Sequence, residues 1–120
     1  MPKDSNKTDG LAHPTPVSSK FFYSDLPADQ ARYYTALLKP QSIASCEEPV
    51  EFGAAELVIP VYYLLCENDQ ALPAFVQQRA CDNIPSLRRK LTWASGHFPF
   101  LTEPERFVQE MLGIIEPETA

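Results

Sequence analysis

Asp69 and His97 are the side chains of this sequence whose types and spacing point most directly to chemistry. Asp69 follows the apolar run Val58-Ile59-Pro60-Val61-Tyr62-Tyr63-Leu64-Leu65-Cys66. His97 follows the shorter run Lys90-Leu91-Thr92-Trp93-Ala94, and it opens the loop Gly96-His97-Phe98-Pro99. A carboxylate that orients an imidazole, together with an imidazole that takes the proton of a hydroxyl, makes two of the three members of an acid–base–nucleophile triad. The competing reading is structural: Asp69 caps the helix that follows it, and His97 is an ordinary loop histidine.

The elements that must position this pair can be read from local pattern. The run ending at Cys66 is β-branched and aromatic and lacks polar alternation, which predicts a strand buried on both faces, as in a parallel sheet, with Pro60 at its start. After the turn Glu67-Asn68-Asp69-Gln70, residues 73–83 read as a helix with Leu72, Phe75, Val76 and Ala80 on its apolar side. Residues 90–94 form a second short strand. Thr102-Glu103-Pro104-Glu105 matches a capping box with proline in the first turn, so a final helix runs to about Ile115. Phe107, Met111 and Ile115, with Val108 and Leu112 beside them, give that helix a stripe suited to covering a sheet. Strand, helix, strand and helix in alternation predict a parallel β-α-β-α unit of the α/β class. In such sheets functional groups gather beyond the carboxyl ends of the strands, where both Asp69 and His97 fall.

Upstream the chain is less regular. Residues 1–20 are polar, with prolines at 2, 14 and 16, and read as a loop or disordered tail. A helix is expected from about Pro27 to Leu38, capped by Asp25 and ended by Lys39-Pro40. Residues 41–56 mix Ser, Cys, acidic residues, Pro49 and Gly53, a pattern that fixes no boundaries but leaves room for a short helix and an extended stretch.

The run Ile59 to Pro73, together with Gly96-His97-Phe98-Pro99-Phe100-Leu101-Thr102-Glu103-Pro104, resembles the C-terminal part of α/β-hydrolases. Within them it is similar to the branch of small-ester esterases and hydroxynitrile-lyase-like proteins. The resemblance covers about Phe21 to Ile115. It implies a cap-like helical segment over residues 21–56 and the C-terminal half of the hydrolase domain over 57–116. It also implies Asp69 as the acid and His97 as the base of a carboxylic ester hydrolase, with a small-molecule ester as substrate and no cofactor.

The nucleophile of that family is missing. A Gly-x-Ser-x-Gly elbow projects its hydroxyl into the site, and an earlier loop supplies oxyanion donors. Gly10, Gly53, Gly96 and Gly113 never bracket a serine at that spacing. Ser95 precedes the histidine loop, and Ser42 and Ser45 lie in the cap-like segment as solvated loop residues. The expectation is therefore a chain that keeps acid and base, comes from a truncated or partial hydrolase, and is inactive alone until another segment completes it. The alternative is a non-catalytic, hydrolase-derived binding or interaction module. Two strands also leave an edge unpaired, which predicts self-association.

Other residues carry less. Asp69, His97 and Glu67 lack the spacing of a closed metal site. Phe21, Phe22, Tyr23, Tyr33 and Tyr34 either pack as core or line an apolar pocket under the cap, and Phe98 and Phe100 invite the same two readings. His13 sits solvated in the tail.

Composition excludes whole classes. The 120 residues make room for one domain or a piece of one, and the net charge of −6, without a basic run, excludes phosphate-driven nucleic-acid binding. Cys46, Cys66 and Cys81 are odd in number and irregularly spaced, so they read as reduced thiols. The apolar run Leu57–Cys66 is far short of the ~20 residues that span a bilayer, and no secretory leader is evident, so a cytoplasmic location is expected.

Overall fold

The computed structural model describes residues 9–116. At its centre a parallel pair, β3 (Val61–Cys66) and β4 (Leu87–Trp93), is joined by the crossover helix α4 (Ala74–Asp82). Chain order before it is β1 (Leu11–Ala12), α1 (Ser18–Phe22), α2 (Ala28–Leu37), β2 (Gln41–Ser42) and α3 (Ala44–Glu47). After β4 come α5 (Pro99–Thr102) and α6 (Pro104–Ile115). The protein is thus α/β, with one small antiparallel sheet, β1 with β2, and one small parallel sheet.

The register of the parallel pair sets the site. Leu64 lies opposite Leu91 and Cys66 opposite Trp93, so the two strands end together. Pairing continues past their ends: Glu67 N–H donates to the Trp93 carbonyl at 2.9 Å and Asn68 N–H to the Ser95 carbonyl at 3.0 Å. The loops carrying Asp69 and His97 are thereby held side by side. Beneath them lies the core of Leu65, Cys66, Cys81, Ile84 and Trp93, joined by Tyr23 from the end of α1. The Trp93 ring also carries the Arg106 guanidinium of α6 at 4.0 Å from its centroid, a cation–π contact that ties α6 to the end of β4.

Several expectations are corrected. Residues 1–8 of the expected tail lie outside the described residues, but 9–20 are not an unpacked tail: Leu11 and Ala12 pair with Ser42 and Gln41, and Ser18 is buried at the start of α1. Those contacts join positions some thirty residues apart, which local composition does not report. β3 starts at Val61, directly after Pro60, as the missing proline N–H leads one to expect, and Val58 ahead of it is 93% exposed and outside the strand. Its first four residues are half-buried, so it is not enclosed on both faces among the described residues.

The expected apolar side of α4 is also displaced. The helix buries Gln77 and Cys81, while Phe75 and Leu72 are exposed, because the Gln77 amide is bonded to the backbone below it. The capping box at 102–105 does not form either. Thr102 ends α5 and bonds back to the Pro99 carbonyl, and Glu103 stands at the start of α6 with no side-chain cap. Much of the α6 stripe, Val108, Met111, Leu112 and Ile115, faces solvent.

Candidate active site

Asp69 reaches the site because the chain turns sharply after β3. Its Oδ1 accepts the backbone N–H of Ala71 at 2.8 Å and of Leu72 at 2.9 Å, the pattern of an aspartate that folds its own loop. The residue is 8% exposed. Its two oxygens also lie 3.0 and 2.9 Å from His97 Nδ1. A carboxylate oxygen accepts, so Nδ1 is the donor and the neutral ring carries its lone pair on Nε2. Nε2 makes no hydrogen bond to any described residue, and the His97 side chain is partly open to solvent. Asp69 therefore combines both sequence readings: it shapes the start of the next helix and it orients the imidazole.

The His97 loop is tied down from the other side by Asp25. Its Oδ2 accepts the Gly96 N–H at 2.8 Å across 71 positions of sequence. Asp25 had been expected to cap α2, but α2 begins after Pro27 with no side-chain cap. Gly96 is required by this approach, since a Cβ there would sit 2.5 Å from Asp25 Oδ1.

Aromatic rings wall the imidazole. Phe98 packs edge-on at 4.6 Å between centroids, and Phe22 of α1 lies at 5.3 Å. Tyr23 continues the cluster to Phe98 at 5.5 Å and to Tyr34 of α2 at 5.7 Å. Tyr33, by contrast, is largely exposed. Of the expected aromatic residues, Phe22 and Phe98 are the rings brought onto the histidine.

Gln77 was not singled out by sequence and is the most deeply placed polar group. It is 2% exposed, its Oε1 accepts the Cys66 N–H at 2.9 Å, and its Nε2 donates to the carbonyls of Cys66 at 2.9 Å and Leu72 at 2.7 Å. It braces both ends of the Asp69 loop. The available signal was an amide one turn before Cys81 on a helix that had to cover a strand.

No hydroxyl or thiol among the described residues hydrogen-bonds to Nε2. Ser95 is buried and donates to the Gly96 carbonyl at 3.1 Å, and Ser45 donates to the Ser42 carbonyl at 2.7 Å in an exposed turn. Burial pushes the Cys66 thiol up to about 11, with Asp69 and Asp25 acting in the same direction, so it is held protonated rather than as a nucleophilic thiolate. His13 is exposed, as expected, and pairs with the equally exposed Asp9 at 2.6 Å. No group of His, Cys, Asp and Glu able to hold a metal is present among the described residues. No helix among them is long and apolar enough to cross a membrane.

The arrangement is an imidazole with one nitrogen fixed by a buried carboxylate and the other free to take a proton. Comparison with protein-family models, with curated proteins and with solved structures finds no match to the chain.

Proposed function

We propose that Asp69 and His97 are the acid and the general base of a carboxylic ester hydrolase of the α/β-hydrolase type, whose serine and oxyanion donors come from another polypeptide segment. The observation that carries the proposal is the contact of both Asp69 oxygens with His97 Nδ1 while Nε2 hydrogen-bonds to no described residue. An imidazole held this way accepts a proton from a hydroxyl, and the carboxylate stabilises the imidazolium that results. The aromatic wall of Phe22 and Phe98 suits the apolar part of a small ester. Alone, the chain is inactive, because general-base catalysis needs a nucleophile to activate.

The experiment is labelling by a serine-reactive fluorophosphonate and turnover of short-chain p-nitrophenyl esters. The 120-residue chain alone is expected to give neither. Co-expressed with the product of the adjoining upstream coding sequence, it is expected to support labelling at a Gly-x-Ser-x-Gly serine. His97→Ala should then lower turnover by on the order of a million-fold. Labelling that survives His97→Ala contradicts the assigned base. Labelling of the chain alone contradicts a nucleophile located elsewhere.

A further inference from the structure

We infer that two copies of this chain pair antiparallel through the outer edge of β3, with Tyr63 on the two-fold axis. The inference concerns the chain by itself and does not rest on the catalytic reading.

Backbone accounting on β3 leads to it. The inner edge faces β4: Val61 N–H donates to the Ser86 carbonyl at 3.0 Å before the strand pair, and Glu67 N–H to the Trp93 carbonyl after it. Along a strand, successive residues direct their N–H and C=O groups to opposite edges, so Tyr62, Leu64 and Cys66 face outward. No described strand lies there. Cys66 is already closed, since the Gln77 side chain takes both its N–H and its carbonyl as a neighbouring strand would. At the other end Pro60 has no N–H to offer. The open stretch is therefore Tyr62 and Leu64; the Leu64 carbonyl meets a weak donor, the Cys66 thiol at 3.8 Å.

That stretch is self-complementary. In an antiparallel pair centred on Tyr63, Tyr62 of one copy exchanges both hydrogen bonds with Leu64 of the other, and the two-fold repeats the exchange. The outward-facing N–H and C=O groups of Tyr62 and Leu64 are then used. β4 cannot serve in the same way: Arg88, Arg89 and Lys90 are exposed along it, and a bulge at Arg88, skipped between the pairs Val61–Leu87 and Tyr62–Arg89, distorts it. Growth accordingly stops at two copies.

Beside the open edge runs a groove of about 300 Å³ between β3 and α6, lined by Tyr62, Leu64, Leu91, Phe107, Met111 and Ile114. A strand added at this edge roofs that groove with apolar side chains.

The test is sedimentation of the unsubstituted chain across a range of concentrations, with amide hydrogen exchange read at Tyr62 and Leu64. A monomer–dimer equilibrium is expected, with exchange at both amides slowing by about tenfold or more as the dimer forms. In the Cys46→Ser background, Tyr63→Cys should form a disulfide between copies on oxidation, because Tyr63 faces itself across the axis, whereas Thr92→Cys on β4 should not. A chain that stays monomeric at high concentration overturns the inference, as it leaves the edge to a strand from a different protein. A dimer in which Tyr62 and Leu64 continue to exchange rapidly also overturns it, by placing the interface elsewhere.

Discussion

Asp25 Oδ2 accepts the backbone N–H of Gly96 at 2.8 Å, so a residue ahead of α2 fixes the loop that presents His97. The neighbouring glycine is the geometric condition of that bond, as a Cβ would stand 2.5 Å from the carboxylate. The Asp25 side chain is exposed and can swing away, so the cost of Gly96→Ala is chiefly the lost hydrogen bond. Gly96→Ala and Asp25→Ala should each destabilise by about 1–2 kcal/mol. In the double variant the losses should fall short of their sum by about 1 kcal/mol. Urea titration of the four chains checks this; strict additivity would show that the two residues are not coupled.

Gln77 should be among the least replaceable polar residues. Gln77→Leu fills the same space but strands the Cys66 N–H and two carbonyls, a loss of about 2–4 kcal/mol. Gln77→Glu keeps the acceptor and loses the donor, and should regain part of its stability in mild acid, where the protonated side chain donates again. Equal stability of Gln77→Glu at pH 5 and pH 8, read by denaturant midpoint, would contradict this account.

How much of this was legible follows from how local each cause is. The strand–helix–strand–helix order is written in periodicities a few residues long, and the α/β class follows from it. Asp69 and His97 were legible as a pair because both stand at the ends of such runs. Asp25 reads locally as a cap because its true partner lies 71 positions away. Gln77 is not legible because an amide on a helix carries no mark of the strand edge it will meet, and the same amide turns α4 so that Phe75 faces out. β1 and α1 were missed for a related reason: neither is stable without residues 41–42 or the ring cluster at Phe98.

Alkaline stability should report the buried thiol. Cys66 rises from an ordinary 9.0 to about 11 on folding, through burial first and the Asp69 and Asp25 carboxylates second. Above pH 9 the unfolded chain loses this proton while the folded chain keeps it, so the unfolded state binds fewer protons and stability falls as pH rises. The contribution is whole below about pH 9 and is lost progressively toward pH 11. Burial shifts Tyr63, Tyr23 and Cys81 upward too, and these add with the same sign. Denaturant midpoints from pH 7 to pH 10.5 should decline, and Cys66→Ala should flatten the decline. A flat profile in the unsubstituted chain would contradict it.

The most direct test of the acid–base pair is the tautomer of His97, read from long-range proton–nitrogen NMR correlations of its imidazole. With Asp69 accepting from Nδ1, the neutral ring should carry its proton on Nδ1 and leave Nε2 bare, the form that can take a proton from a nucleophile. Asp69→Asn keeps an oxygen for the Ala71 and Leu72 N–H groups, yet offers a donor to Nδ1, and should flip the proton to Nε2. A neutral ring protonated on Nε2 in the unsubstituted chain, or a tautomer indifferent to Asp69→Asn, would contradict the assignment of Asp69 and His97 as acid and base.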